Sequence, residues 1–123
     1  MALAANVGTI ARVPLRRGIL LGKFTADDHE RFQDDDVRSR IPKERFVEEL
    51  RRAEKCRFLV KGPVSSMAQA ALAFCLAHPA VSTVIPGARN ARQMRENASA
   101  SGIRLPEEDL KRLRELGKSG FAE

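Results

Sequence analysis

Two short apolar runs resemble buried β-strands, and they constrain the fold of this chain more than any other feature. The first covers Val7 to Leu15, is rich in β-branched residues and leads into a loop at Pro14. The second covers Val81 to Pro86. Helix signals lie between and after these runs, so the order predicts an α/β fold with a parallel sheet. Because two short parallel strands cannot form a stable sheet buried on both faces, we expect a piece of a larger fold.

Helix start and stop signals predict about four helices, over residues 42–59, 66–77, from 90 onwards, and 106–117. Ser66 with Gln69 and Asn90 with Gln93 have the spacing of a capping box. The third helix is expected to carry a narrow apolar stripe made of Ala91, Met94 and Ala98. Residues 27–36 contain six acidic side chains and are predicted to form a solvated loop.

Composition excludes several classes of protein. The chain has 123 residues, is 43% hydrophobic and carries a net charge of +6, which argues against disorder throughout. Its two cysteines provide neither a disulfide framework nor a metal-binding set and fit a reducing compartment. The longest apolar run, residues 67–77, is about half of a membrane span, so we expect a cytoplasmic protein without a membrane partner. The chain contains no tyrosine, which excludes any mechanism that needs a phenol.

The loops that follow the two strands are the candidate binding sites, because parallel α/β proteins bind ligands at the carboxyl ends of their strands. The second loop leads into a helix near Asn90, whose first N–H groups favour an anion. Arg89 adds a positive charge, and Gly87 and Ala88 leave room for a phosphate near the backbone. The same residues are equally compatible with an ordinary turn that carries a solvated arginine.

Three stretches of the sequence resemble the C-terminal portion of an aldo-keto reductase. They are VPLRRGILLGK (13–23), SMAQAALAFCL (66–76) and TVIPGARNARQMREN (83–97). The resemblance implies a C-terminal fragment of a (β/α)8 TIM barrel, with residues 1–123 as a partial domain that holds strands 7 and 8 and about four helices. A whole barrel needs roughly 250 residues. The opening residues enter the family pattern near the end of the sixth helix, so we expect a truncated chain.

The resemblance also implies a nicotinamide cofactor, NADPH, and assigns residues to it. In the loop after the first strand, the positions matching the pyrophosphate motif are Pro14, Leu15, Gly18, Gly22 and Lys23. Gly87, Ala88 and Arg89 match the positions around the 2'-phosphate, and Gln93, Glu96 and Asn97 match those beside the adenine and ribose. Arg38 and Arg40 are alternative further contacts to phosphate.

The catalytic Asp, Tyr, Lys and His of that family lie on earlier strands that this sequence lacks. His29 and His78 are interpreted as solvated or capping side chains, so we assign no catalytic residue. Loss of the general acid alone costs roughly 10²–10⁴-fold in rate. We therefore expect weak or absent binding of NADPH and no turnover by this chain alone.

Two other functions stay open. A non-catalytic module could bind nucleotide or self-associate through exposed strands. A nucleic-acid binder is the weaker alternative, because Glu48, Glu49 and Glu54 interleave the basic residues at 51–57 and no aromatic platform accompanies them. It would show DNA affinity that depends steeply on salt and survives replacement of Arg89.

Overall fold

The computed structural model describes residues 1–122, and over that range the chain forms two strands and four α-helices. In chain order these are β1 (Thr9–Arg12), α1 (Lys43–Glu54), α2 (Met67–Leu76), β2 (Val81–Ile85), α3 (Ala91–Ser99) and α4 (Glu107–Lys118). Short 3-10 segments lie at Arg16–Leu21, Ala26–Arg31, Arg57–Leu59 and Ala100–Gly102. The predicted order of a parallel strand pair with about four helices, as in a piece of a (β/α)8 barrel, is confirmed.

Strands β1 and β2 pair in parallel, and their last residues, Arg12 and Ile85, lie opposite each other. The register is irregular at the start of the pair, between Thr9 and Ile10. There the Thr9 N–H donates to Ser82 Oγ at 3.1 Å, and the Thr9 hydroxyl donates to the Ala80 carbonyl. Because both strands end at the same level, the loops that follow them leave the same edge of the sheet.

The sheet is left partly uncovered by the rest of the chain. Ile10 on β1 is 62% exposed, and Ile85 on β2 is 54% exposed. The strand pattern alone predicts burial for such side chains, since β-branched residues prefer packed sheet surfaces. Their exposure agrees with the expectation that this sheet belongs to a larger one.

The first strand is shorter than the nine-residue run that the sequence indicates. β1 ends at Arg12, and Val13 adopts a φ of 53°, which no residue of an extended strand can have. Pro14 and Leu15 lie in the turn that follows, with the Arg16 N–H donating to the Val13 carbonyl at 3.0 Å. The predicted extension of the strand to Leu15 is therefore wrong, because the chain reverses into a left-handed turn.

The predicted helix over residues 42–59 is interrupted. Helix α1 ends at Glu54, and the Cys56 N–H donates to the Ala53 carbonyl at 3.0 Å, which tightens the chain into a turn. This turn lets Leu59 enter the core, where it is 3% exposed. The last helix, in contrast, runs one residue past Gly117. Among residues 1–122, no helix combines the length and the apolar character that crossing a membrane requires.

Two apolar clusters stabilise the part of the chain that the structure describes. The α2–α4 core joins the second and fourth helices and consists of Leu59, Val64, Ala70, Ala73, Leu105 and Leu113. The loop–α1 core joins the β1–α1 segment to the first helix and consists of Ile19, Ile41, Phe46 and Ala53. Each cluster lies among helices and connecting segments, whereas α2 also packs against β2.

The acidic segment 27–36 is largely exposed, as its composition indicates, but two of its side chains pack against α1. Phe32 packs edge-on against Phe24 and Phe46, with ring centroids 5.6 and 5.5 Å apart. His29 is half-buried, lies 5.4 Å from the Phe46 ring and bonds the Ile41 carbonyl through Nε2 at 2.6 Å. The prediction of a solvated or capping His29 is thus wrong, because aromatic packing folds the segment onto α1.

The apolar stripe predicted for α3 faces solvent. Met94 is 56% exposed, Ala91 and Ala98 are also exposed, and no side chain between Ala91 and Ser99 is fully buried. The spacing of the stripe is helical as predicted, but within the described residues no surface covers it.

Replacing Phe46, which is 0% exposed, with alanine is expected to remove the centre of the loop–α1 core. Phe46→Ala should lower the free energy of unfolding by about 3–5 kcal/mol, the cost of a large buried cavity. Val47→Ala is the matched control, because Val47 is 38% exposed and its truncation should cost under about 1 kcal/mol. Urea denaturation followed by circular dichroism measures both, and equal losses would contradict this account of the core.

Candidate functional site

The loops after β1 and β2 form the candidate site, because they leave the sheet side by side. Arg12 and Ile85 end the paired strands at the same level. The loop after β1 continues into the segment that reaches α1, and the loop after β2 leads directly into α3. All eleven residues predicted to bind the cofactor lie in these two regions or on α3 itself.

The loop after β1 has a strained backbone. Val13, Arg16 and Arg17 have φ values of 53°, 48° and 55°, although none of them is a glycine. The left-handed conformation costs roughly 1–2 kcal/mol for each such residue. Strain of this kind persists only where surrounding contacts impose it, and it is concentrated at functional sites.

Two glycines in this loop are required by their surroundings. Gly18 has a φ of 92°, and a Cβ there would lie 3.3 Å from the Phe24 ring. Gly22 has a φ of 67°, and a Cβ there would lie 3.0 Å from Cγ of Met67 on α2. Both glycines therefore bring the loop into close contact with its neighbours, and Lys23 follows them on the exposed surface.

An ion pair ties the strained loop to helix α1. The Arg16 guanidinium donates to both carboxylate oxygens of Glu49, through Nε at 3.1 Å and Nη2 at 2.6 Å. Hydrogen bonds from Arg16 are the main cause of a lowered pKa at Glu49, and burial opposes them. Arg45, one turn earlier on α1, donates to the same carboxylate at 3.3 Å. This anchor holds one of the left-handed residues directly.

A second ion pair, the Asp36–Arg38 clamp, lies on the other side of the loop. Arg38 Nε and Nη2 donate to the Asp36 carboxylate at 2.8 and 2.5 Å, and the Arg38 N–H donates to it at 2.9 Å. The guanidinium also packs against two rings, 4.7 Å from the centroid of Phe24 and 4.6 Å from that of Phe32. This clamp is absent from the sequence-based predictions, although two phenylalanines followed by an Asp-x-Arg triplet are its signal.

The clamp distinguishes Arg38 from Arg40, the two alternative further contacts to phosphate. The Arg38 side chain is 15% exposed and is already engaged by Asp36 and the two rings. Arg40 is exposed to solvent. The Arg38 charge is thus satisfied within the protein, whereas the Arg40 side chain is open to solvent.

The loop after β2 ends in a capped helix N-terminus. Asn90 Oδ1 accepts from the Gln93 N–H at 2.9 Å, as the capping-box spacing predicts. The Gln93 side chain, however, accepts from the Arg89 N–H at 2.8 Å, one residue before the cap. The first helical N–H groups, those of Ala91 and Arg92, have no acceptor within the helix and face outward from its start. Together with the exposed Arg89 they form a cationic corner.

Asn97 connects α3 to the same loop. Its Nδ2 donates to the Gly87 carbonyl at 3.2 Å. Gly87 is exposed and Ala88 is half-buried, and no atom lies within 4 Å of where a Cβ on Gly87 would be. Glu96 and Asn97 are both half-buried on α3. The backbone of this loop is therefore open to a ligand on its outer side.

The electrostatics link the two loops. The pKa of Asp36 falls from its ordinary value of 3.8 to about 2, chiefly because Arg38 donates to its carboxylate, while burial opposes the shift. The positive charge of Arg89 lowers that pKa further, so Arg89 and Asp36 lie within electrostatic reach across the two loops. The site thus combines the positive charge of Arg89 with an anionic group, Asp36, that is already paired with Arg38.

Other candidate groups do not contribute to this site. On α1, Glu48 accepts from Arg51 and Arg52, and these hydrogen bonds lower its pKa to about 2. The basic residues of this helix are thus largely paired, as expected of a solvated helix face. Cys56 and Cys75 are unpaired and half-buried, and burial raises the pKa of both thiols.

Residues 1–122 contain no group of three or more His, Cys, Asp or Glu side chains that could hold a metal ion. A groove of about 310 Å³ lies between the β1–α1 segment and α1, with Phe24, Leu50 and Met67 among its lining residues. Of the predicted cofactor residues, Gly22 borders this groove. This groove is therefore adjacent to the first loop, and Arg89 is not among its lining residues.

Comparisons with known proteins match nearly the whole chain. The model of the "Aldo/keto reductase family" matches residues 1–118. An "Aldo-keto reductase" of Gibberella moniliformis is 36% identical over 114 residues, which is 90% of this chain and 34% of the relative. "Aldo-keto reductase str7" of Strobilurus tenacellus is 30% identical over 92% of the chain, and "Aldo-keto reductase yakc [NADP(+)]" of Schizosaccharomyces pombe is 28% identical over 89%. The chain spans about a third of the length of these curated relatives.

Replacing Arg38 with alanine is expected to return the pKa of Asp36 from about 2 towards its ordinary value of 3.8. Because the folded pKa is depressed, the stability that Asp36 contributes is present above about pH 4 and is lost as the pH falls towards 2. Carboxyl-carbon NMR titration measures the pKa directly. Arg40→Ala is the control and should leave the pKa of Asp36 unchanged. If the pKa of Asp36 in the Arg38 variant stays at its wild-type value, the clamp is contradicted.

Proposed function

Since the chain belongs to the aldo/keto reductase family, we propose that it supplies the part of an NADP(H)-dependent oxidoreductase that binds the phosphate and adenosine groups of the cofactor. In this proposal residues 1–123 are a partial domain of that family. The observation that supports it most is the register of β1 and β2, which brings the loops of both strands to one edge of the sheet. Ligands of parallel α/β proteins bind at that edge.

The two loops would divide the cofactor between them. Pyrophosphate is assigned to the loop after β1, through Pro14, Leu15, Gly18, Gly22 and Lys23. The close packing of both glycines supports this assignment, because it holds the loop backbone in one conformation against its neighbours. The 2'-phosphate is assigned to Gly87, Ala88 and Arg89, and the adenine and ribose to Gln93, Glu96 and Asn97.

The cationic corner suits a dianionic phosphate. Arg89 can donate two parallel hydrogen bonds to phosphate oxygens, and the first N–H groups of α3 point at the same side. The cap supports this geometry, because the Gln93 side chain holds the Arg89 backbone in place at 2.8 Å. A 2'-phosphate is the group that distinguishes NADPH from NADH, so we assign this corner to NADP(H). Of the two alternative arginines, we assign any further phosphate contact to the exposed Arg40.

Turnover of a carbonyl substrate is not part of this proposal. NADPH supplies a hydride when bound, but reduction also needs an acid that protonates the carbonyl oxygen. The chain contains no tyrosine. Neither histidine suits the task, since His29 is packed among phenylalanine rings and His78 bonds the backbone N–H of Ala80 at 3.1 Å. We therefore propose that these residues bind cofactor, weakly in this chain alone, and do not catalyse.

The proposal includes a reducing, cytoplasmic compartment. Cys56 and Cys75 are both free thiols in the structure. Burial raises the pKa of each, which keeps the thiols protonated and slow to oxidise.

A second candidate function is self-association as a non-catalytic module. The observation that favours it is the open sheet, on which Ile10 and Ile85 are 62% and 54% exposed. Unpaired strand edges with apolar side chains readily pair with another chain. In this alternative, two or more copies cover each other's strands, with or without bound nucleotide.

Arg89→Ala is expected to weaken binding of 2',5'-ADP by about 10- to 100-fold, because charge-assisted hydrogen bonds are worth about 1.5–3 kcal/mol. Binding of 5'-AMP, which lacks the 2'-phosphate, should change little. Isothermal titration calorimetry at low salt measures both ligands, with the exposed Arg104→Ala as the control for net charge. If folded protein does not bind 2',5'-ADP at millimolar concentration, the proposed cofactor site does not operate in this chain.

Self-association predicts a different result. Ile10→Lys or Ile85→Lys should shift the chain towards monomer, since a charge on a paired strand opposes burial. Val37→Lys is the control, because Val37 is 53% exposed but lies outside both strands. Sedimentation velocity at several concentrations measures the distribution. A wild-type chain that stays monomeric throughout would exclude the module.

A further inference from the structure

Gln69 is a buried polar side chain that joins two helices. It is 8% exposed, and its Oε1 accepts from both the Ser65 N–H and the Ser65 hydroxyl, each at 2.9 Å. Since a backbone N–H can only donate, the amide oxygen must face Ser65, which turns Nε2 towards α3. There Nε2 donates to Ser99 Oγ at 2.8 Å. Every polar atom of the amide group thus has a partner, as burial requires.

Ser99 passes this connection on to the backbone of α3. Its hydroxyl donates to the Glu96 carbonyl at 2.8 Å while it accepts from Gln69. Asn97 follows Glu96 directly, and its amide reaches the Gly87 carbonyl at 3.2 Å. A continuous path therefore runs from the buried start of α2, along the end of α3, to the loop after β2.

Helix α3 has little else to hold it in place. None of its side chains from Ala91 to Ser99 is fully buried, and Met94 on its apolar stripe is 56% exposed. The first fully buried residue after it is Ala100, at 1% exposure, in the short 3-10 segment. Hydrophobic burial thus fixes only the end of this helix, and the orientation of the rest depends on polar contacts.

We propose that Gln69, acting through Ser99, is a positioning residue that sets the orientation of α3 and thereby the geometry of the 2'-phosphate and adenosine site. The consequence for the site rests on the proposed function, whereas the tie between the two helices does not. Gln69 itself does not touch the cofactor in this proposal. It acts on selectivity, because the first N–H groups of α3 and the adjacent Arg89 are assigned to the 2'-phosphate, which 2',5'-ADP carries and 5'-AMP lacks.

Ser99→Ala and Gln69→Met test the proposal in the full chain. Both variants remove the hydrogen bond between the helices, and methionine keeps the volume and burial of Gln69. Hydrogen–deuterium exchange of the α3 amides should become about five-fold faster in each, the size expected for one lost side-chain hydrogen bond. The amides of α4 should keep their exchange rates. The affinity ratio of 2',5'-ADP over 5'-AMP should fall by about five-fold.

Ser101→Ala is the matched control. Ser101 also donates to a carbonyl three residues earlier, that of Ala98 at 2.9 Å, but it lies outside the path from Gln69. Its replacement should leave both the exchange of α3 and the affinity ratio unchanged. If Ser99→Ala leaves α3 exchange unchanged, or if Ser101→Ala accelerates it equally, the proposal is overturned.

The two readouts separate this inference from the proposed function. A wild-type chain that binds neither nucleotide contradicts the cofactor site, and the exchange measurement then decides the tie between α2 and α3 alone. A uniform loss of affinity for both nucleotides, with the ratio preserved, would mean that Gln69 acts only through general stability and would overturn its role in selectivity.

Discussion

The parallel register of β1 and β2 determines where every functional group in this chain can lie. With Arg12 opposite Ile85, the backbone must leave both strands at one edge, whatever the sequences of the loops. The same pairing leaves the sheet too small to bury its own side chains, so Ile10 and Ile85 face solvent. The helices compensate by building cores among themselves and the connecting segments. The parallel pairing of β1 and β2 therefore explains both where the candidate site lies and why the sheet stays partly uncovered.

The loop after β1 shows how a strained backbone is kept in place. Three non-glycine residues in the left-handed region cost several kcal/mol together. The bidentate pair of Arg16 with Glu49 attaches the loop to α1. On the other side, Arg38 packs against two phenylalanine rings with its charge satisfied by Asp36. Ionic and aromatic contacts together impose the conformation. The Arg38 side chain is engaged in these contacts and therefore has a structural role.

Local signals predict this chain well, and contacts between distant segments do not. The caps at Ser66 and Asn90 form as expected, because a side chain three residues from its partner depends only on the helix start. The burial of His29 and Phe32 could not be predicted from an acidic segment, since it arises from packing against Phe46, which lies more than ten residues away. Of the site, the order of the loops follows from the strand pattern, but the clamp between Asp36 and Arg38 depends on how the segment folds onto α1.

The two glutamines at the third positions of α2 and α3 show how burial changes the role of one motif. Gln69 and Gln93 each accept a backbone N–H from the residue before the cap, at 2.9 and 2.8 Å. The N-terminus of α2 is packed, so the remaining donor of Gln69 must find a protein partner, and it finds Ser99. The N-terminus of α3 is open, so Gln93 can offer its remaining donor to solvent or to a ligand. Sequence alone makes the two motifs equivalent, and the packing around them makes one a structural tie and the other a candidate binding residue.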